Sequence, residues 1–385
     1  MISATHDIDI MDAHIGVFNY RNLFRADRVL MGLALALVIV GVLTLYSASR
    51  SAYSEIPYYV KQLVFFGVGA VLAALIVSFD YRFLISFAPF FYVLCLVLLI
   101  LVEFFGITVK GGQRWLGVGP LTFQPSELTK LALVYMLAWY FHIIQHRIRS
   151  LPFFLLAFVI AGIPIVFILR QPNLGTAALL VPVLFVMLYV AGCKRWHLAA
   201  VILAGLAAIP VAWTQLEDYQ KERVRTFGNP AADARGKGWQ TVQTMITVGS
   251  GGMWGKGFRE GTQTHLSFLP EHHTDFIFAL LAEEMGFQGA VVVLALFGGL
   301  LWRGIVLARG SPELQGTLVG VGAVTILAFH VFVNIAITIG LMPVTGIPLP
   351  FLSYGGTFYV TTMMCVGAML SVNVRRGLFS ETDGA

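Results

Sequence analysis

The chain has 385 residues, 58% hydrophobic and only 12% charged, with a mean hydropathy of +0.81. Soluble globular proteins are nearer half apolar and a quarter charged, so a soluble enzyme, a disordered chain and a disulfide-stapled secreted domain are excluded and a polytopic membrane protein is left. The net charge of +5 comes from 25 Lys and Arg against 20 Asp and Glu; the basic residues form no long tract, which argues against a nucleic-acid partner and makes their distribution a report on topology.

Residues 1–20 carry Asp7, Asp9 and Asp12 before any arginine, unlike a secretory signal, and are expected to be a short retained tail. A bilayer core needs about 20 apolar residues per helix. Ten such runs occur, at 29–48, 63–79, 84–103, 126–144, 152–169, 175–191, 197–214, 276–302, 315–340 and 354–373. The expected fold is therefore all-α and polytopic, with about ten transmembrane helices in a single domain over residues 29–374, between tails at 1–28 and 375–385. The tails and the short loops on their side hold twelve Lys or Arg, against five (Arg50, Lys61, Lys110, Arg114 and Arg170) in the short loops opposite. That asymmetry places both termini in the cytoplasm. Cys95, Cys193 and Cys365 lack metal-ligand spacing and read as small core residues.

Residues 215–274, between the seventh and eighth runs, then form a large extracytoplasmic loop. A structureless loop of that length is unusual unless it is functional or folded on the membrane surface. Short interfacial helices are expected there, with Leu216, Tyr219, Trp239, Met253 and Trp254 facing lipid or the bundle.

An ionisable residue inside a span costs on the order of 2.5–3.5 kcal/mol and is a site hypothesis by default. The fourth run opens with Gln124-Pro125-Ser126-Glu127-Leu128-Thr129-Lys130, preceded by Gly112-Gln113-Arg114-Trp115. Pro125 suits a first helical turn, and Glu127 and Lys130 share a helix face at i, i+3. Two readings stand: an ion pair fixing a helix end, or Lys130 and Arg114 offering charge to an anionic ligand while Glu127 orients Lys130. The sixth run opens with Gln171-Pro172-Asn173-Leu174-Gly175-Thr176, a turn with Asn173 or Thr176 as the cap. The eighth opens with Leu269-Pro270-Glu271-His272-His273-Thr274-Asp275, where Thr274 or Asp275 could simply cap the helix; Glu283-Glu284 follow two turns on. His272 and His273 are adjacent and make no His-x-x-x-His metal face, and no metal ligand is assigned. The approach to the tenth run, Met342 to Thr357, holds three prolines and three glycines before Thr357, an irregular backbone tolerated at membrane depth only where protein or a polar cavity surrounds it.

By parity these four openings lie together on the outer face. Several helix N-termini pointing one way favour a phosphate-bearing ligand, with Arg114, Lys130 and Arg223 as nearby cations. The stretch Gly249 to Gly257 lacks the spacing of a nucleotide-binding loop and reads as a flexible surface turn. Serine-hydrolase and zinc-protease motifs are missing.

The same four openings resemble the signature of the SEDS family, polytopic proteins that polymerise peptidoglycan glycan strands from lipid II. The resemblance covers about residues 28–376. It rests on Gly112-Gln113-Arg114-Trp115, Gln124-Pro125-Ser126-Glu127 with Lys130, Leu269-Pro270-Glu271 with His273 to Phe278, Glu283-Glu284 with Gly286, and Ser353-Tyr354-Gly355-Gly356. Val344 to Pro350 is similar to the rod-shape branch rather than the division branch. One departure is Asn173, where the family usually has an acid: the acid is dispensable, or Asn173 keeps only its hydrogen-bonding role, or the change alters activity.

The resemblance implies a multi-pass protein of the bacterial cytoplasmic membrane, acting in cell elongation, that transfers a disaccharide-peptide from undecaprenyl diphosphate to the 4-hydroxyl of an acceptor sugar with inversion. Asp275 matches the family's essential acid and is the expected general base. Substrate-binding roles are expected for Arg114, Gln124, Ser126, Glu127, Lys130, Asn173, Arg223, His273, Thr274, Ser353 and Gly355. Arg114, Lys130 and Arg223 would neutralise the leaving diphosphate, with a divalent cation, Mg or Mn, adding to that charge; no organic cofactor is called for. Glu283 and Glu284, about 12–13 Å further down the helix at 1.5 Å per residue, are too deep to share the proton transfer and are expected to be structural. The implied partners are lipid II, the nascent glycan, membrane lipids and a class B penicillin-binding protein, contacting the eighth and ninth spans. The rivals are a flippase for lipid-linked oligosaccharide, which would place its polar site near the midplane, and a non-catalytic scaffold for a transpeptidase.

Overall fold

The computed structural model describes residues 18–49, 56–109, 112–118, 121–215, 221, 238–262 and 273–382. In chain order its elements are α1 (Arg28–Ala48), α2 (Tyr58–Ser78), α3 (Tyr81–Ser86), α4 (Ala88–Phe105), β1 (Ile107–Val109), β2 (Gly112–Val118), β3 (Leu121–Phe123), α5 (Pro125–Ile143), α6 (Leu151–Arg170), α7 (Leu174–Val190), α8 (Arg195–Gln215), α9 (Trp239–Ser250), α10 (Ile277–Arg309), α11 (Leu314–Thr338) and α12 (Gly356–Thr382). A single helical turn, Asn22–Arg25, precedes them. The ten apolar runs are helical, the third shared between α3 and α4. Among the described residues seven helices are long and apolar enough to cross a membrane, and Leu174–Val190 and Arg195–Val211 are shorter apolar helices. The chain is a polytopic helical membrane protein.

Local chemistry sets several helix starts. Asp27 caps α1 by accepting from Leu30 N at 2.7 Å, Asp80 caps α3 through Arg82 N, and Pro125 occupies the first turn of α5. The same residues fasten one end of the bundle. Arg303, near the end of α10, pairs with Asp27 at 2.5 Å; Arg82 pairs with Glu313, just before α11; Arg375, late in α12, pairs with Asp80 at 3.2 Å. The starts of α1, α3 and α11 thus share a face with the late turns of α10 and α12.

The all-α expectation needs one amendment. Residues 107–123 form a three-stranded antiparallel sheet in the order β1-β2-β3, with Ile107 opposite Trp115 and Leu116 opposite Phe123. The β-branched run Ile107-Thr108-Val109 favours a strand over a coil.

A second departure matters more for the site. An unbroken α10 of 33 residues would be about 50 Å long, well beyond a bilayer core of about 30 Å. It breaks at Gly286, whose φ of 66° and ψ of −167° are not helical. Before the break, the Asp275 carbonyl accepts from Asn334, one turn short of the end of α11; Glu284 accepts from Ser47, in the last turn of α1. The first segment therefore runs across the bundle between two helix ends, and only the stretch from Phe287, about 34 Å long, descends. The break follows Glu283 and Glu284, so both stay on the same short helical segment that begins just after Asp275.

The glycine-rich stretch is not a free surface turn either. Lys256 N and Gly257 N donate to the carbonyls of Glu283 and Glu284, and Phe287 N donates to Gly252 O, so the strand of loop from 251 to 257 satisfies the backbone groups that the break in α10 leaves open. Lys256 Nζ adds an ion pair to the buried Glu283 at 2.7 Å. Just before it, α9 turns Thr241, Gln243, Thr244 and Thr247 inward and leaves Trp239, Met245 and Ile246 exposed, as are Met253 and Trp254. Leu216 and Tyr219 lie outside the described residues.

Candidate active site

The approach to α12, residues 342–355, has no regular secondary structure and is the piece around which the four polar openings gather. Its backbone is held from several directions. Asn334 Nδ2 donates to Ile347 O at 2.7 Å; His330 Nδ1 bonds Pro348 O at 3.1 Å; Gln62 Nε2, from α2, donates to Ser353 O at 3.1 Å. Ser353, fully buried, donates its hydroxyl to Thr274 O at 2.6 Å and accepts from Leu349 N at 2.7 Å. A β-carbon on Gly175, in the first turn of α7, would stand 2.8 Å from Ile347. The start of α5 joins the start of α12 where Gln124 N donates to Thr357 Oγ1 at 3.2 Å. The N-termini of α5, α7, α10 and α12 thus surround one segment, an arrangement that favours an anion.

Asp275 sits at this junction and is half-buried. The N-cap position of α10 is Phe276, which makes no side-chain hydrogen bond. The Asp275 backbone is tied by the bond from Asn334 Nδ2 to its carbonyl, 2.9 Å, and by Ser353 on the carbonyl before it. Gly346, at φ +71°, lies so near that a β-carbon there would stand 3.7 Å from Asp275 Oδ2. His273 stacks on Tyr58 with ring centroids 4.2 Å apart, and its carbonyl accepts from Tyr354 N at 2.9 Å. The base candidate therefore stands on a clamped backbone, as a proton acceptor requires.

The other expected residues divide into two groups. Gln124 and Ser126 bond to each other at 3.1 Å, and Gly355 accepts from Tyr359 N; both stand at the junction. Lys130 and Glu127 are buried beneath it, paired at 2.5 Å, with Lys130 Nζ also 2.9 Å from His330 Nε2. The Glu127–Lys130 contact belongs to both readings of this pair. Arg114, on β2, donates to the carbonyls of Gln171 and Pro172 at the end of α6, where its charge meets the negative end of the helix dipole. Asn173 caps α7, accepting from Thr176 N at 3.4 Å. Arg223 lies outside the described residues. Among the described residues no group of three His, Cys, Asp or Glu side chains comes together as a metal site.

A family model described as cell cycle protein, covering FtsW, RodA and SpoVE, matches residues 27–377. The chain belongs to this family. It is 36% identical over 360 residues to the peptidoglycan glycosyltransferase MrdB of Escherichia coli K12, covering 92% of this chain and 95% of that one. Among solved structures it is similar to a chain from work on the coordination of polymerisation and crosslinking by a peptidoglycan synthase complex, with TM-score 0.79, 33% identity and coverage of 91% and 98%. It is also similar to the rod shape determining protein RodA of Thermus thermophilus, with TM-score 0.68, 31% identity and coverage of 91% and 97%.

For this family member, sequence reasoning missed three polar side chains that build the junction: Gln62 on α2 and His330 and Asn334 on α11. All are buried. For His330 and Asn334 the available signal was a polar side chain inside the apolar run 315–340, the criterion already applied to Glu127 and Lys130; Gln62 falls just before the run at 63–79.

Proposed function

We propose that the chain is a peptidoglycan glycosyltransferase of the rod-shape type, polymerising lipid II into glycan strands during cell elongation. The observation that carries this reading is Asp275, a half-buried carboxylate on a clamped backbone where four helix N-termini meet. The names of the relatives and structural neighbours support the same chemistry.

In this reading Asp275 accepts the proton of the acceptor sugar's 4-hydroxyl as the oxygen attacks the anomeric carbon of the donor; the bond from that carbon to the diphosphate breaks, and the lipid diphosphate leaves with the bonding electrons. Inversion follows from a single displacement. The N-termini of α5, α7 and α12 would stabilise the departing charge with backbone N–H groups, helped by Arg114 and by Arg223 in the loop. Gln124, Ser126, His273, Thr274, Ser353 and Gly355 would shape the substrate cleft, and Asn173 would hold the start of α7. The buried Glu127–Lys130 pair supports the cleft from below. A divalent cation, Mg or Mn, would arrive with the diphosphate, since magnesium is commonly held by one or two carboxylates and substrate phosphates; no step depends on it.

The full architecture proposed is ten spans in one domain over residues 29–374 of the bacterial cytoplasmic membrane, both tails cytoplasmic and the site outside. The three ion pairs at the opposite end of the bundle, rich in Arg, support that orientation. A class B penicillin-binding protein is the proposed partner, with membrane lipids around the apolar faces. The flippase reading is disfavoured by the position of Asn334 and Asp275 near one end of α11 rather than at its middle. Incubating the purified full chain with lipid II tests the reading: glycan strands and one released undecaprenyl diphosphate per disaccharide added are expected, whereas a flippase or scaffold yields neither.

A further inference from the structure

The polar side chains on α11 form a path that neither the proposed reaction nor the Glu127–Lys130 pair accounts for. Asn334 and His330 are four residues apart and so lie on one face of the helix. Asn334 spends both amide hydrogens on backbone carbonyls, Asp275 O at 2.9 Å and Ile347 O at 2.7 Å. His330 bonds Pro348 O at 3.1 Å with Nδ1 and Lys130 Nζ at 2.9 Å with Nε2. Ile347 and Pro348 are consecutive. Both side chains are buried, Asn334 completely.

Donor counting fixes the chemistry of the path. An ammonium has three donors and no acceptor, so Lys130 Nζ must donate to Nε2; a carbonyl only accepts, so Nδ1 must carry the hydrogen. His330 is then a neutral imidazole in the Nδ1–H form, locked at both nitrogens. We infer that Asn334 and His330 are positioning residues for the proposed glycosyl transfer: together they peg the 347–348 backbone to α11 and hold the Asp275 backbone against it, with the Glu127–Lys130 ion pair as the anchor. The inference rests on the proposed function, because it assigns these residues to the setting of that reaction's base.

The direction of the path gives it a signature. A residue that merely keeps the buried lysine satisfied matters through Nε2, whereas a residue that holds Pro348 matters through Nδ1. In His330→Asn the amide nitrogen stands near the place of Nδ1 and can still donate to Pro348 O; in His330→Gln the amide oxygen stands near the place of Nε2 and can still accept from Lys130.

The test uses the full chain in detergent with lipid II, after the parent has been shown to polymerise and Asp275→Ala to have lost that activity. Asn334→Ala and His330→Phe are expected to lower kcat about 10- to 100-fold, the scale of a small misplacement of reacting groups, with KM for lipid II within about twofold of the parent. His330→Asn is expected to recover more of kcat than His330→Gln, while thermal unfolding, measured in parallel, ranks Gln at least as stable as Asn. Parent-like kcat in Asn334→Ala overturns the inference, as does recovery by Gln in preference to Asn, which would make His330 a support for the ion pair alone. A parent that makes no polymer where a control enzyme does would overturn the proposed function itself, and this inference with it.

Discussion

Lys130 and Glu127 form a buried ion pair beneath the junction. Both are buried, and the ammonium donates to the carboxylate and to His330. Removing one partner of such a pair strands the other, at about 3–5 kcal/mol, while replacing both by apolar groups of similar volume is often neutral. Lys130→Met is therefore expected to lower the unfolding midpoint sharply in detergent, and Glu127→Leu with Lys130→Met to recover most of it; thermal unfolding of the two variants side by side checks this. At this scale the local contacts were legible in sequence. The Asn173 cap and the Glu127–Lys130 spacing involve residues three apart, and only helical geometry is needed to bring them together. Arg114 was legible as a cation but not as the cap of α6, because its partners Gln171 and Pro172 are brought to it by the sheet, 57 and 58 residues away. Asn334 was illegible for the same reason: its value lies in two carbonyls supplied by other elements.

The break in α10 depends on one residue. Gly286 sits at φ 66°, and a β-carbon there would stand 2.3 Å from Gly255 N and 2.7 Å from the Trp254 carbonyl carbon. The obstacle is backbone, which has no rotamer with which to retreat. Gly286→Ala is expected to cost roughly 1–3 kcal/mol from the backbone conformation alone and to detach the 251–262 loop from Glu283 and Glu284. Faster proteolytic cleavage and faster hydrogen exchange within 251–262, with little change in α11 or α12, are the expected readouts; unchanged exchange in that loop would contradict the docking. The positions of the helices were readable, since runs of about 20 apolar residues have few other uses. The break was not, because hydropathy averages over a window and is blind to a single φ angle. The same blindness turned a docked loop into a free turn in the sequence reading.

At the scale of the whole molecule, a bundle fastened by ion pairs at one end carries an irregular, polar junction at the other. The proposed orientation assigns the first end to the cytoplasm. The cysteines at 95, 193 and 365 are free and buried, so a single introduced cysteine reports cleanly on side. In spheroplasts a membrane-impermeant maleimide is expected to label Trp254→Cys and to spare Arg149→Cys until the membrane is opened; the reverse pattern would invert the topology and put Asp275 inside. The convergence of four openings on one face was inferable from parity alone. The partners that α2 and α11 contribute were not, since parity says which end a residue occupies and nothing about its neighbours.

The proposed mechanism turns on one carboxylate, Asp275. Asp275→Asn keeps the shape of the side chain and removes its capacity to take a proton, a role that contributes typically 10²–10⁴-fold. Glycan polymerisation should be measured with purified lipid II for the parent, Asp275→Asn and Asp275→Ala, alongside lipid II binding and thermal unfolding of each. Loss of at least about 100-fold in rate for both variants, with binding and unfolding close to the parent, is the expected result. Polymer made at the parent's rate by either variant would remove Asp275 as the base and contradict the proposed mechanism.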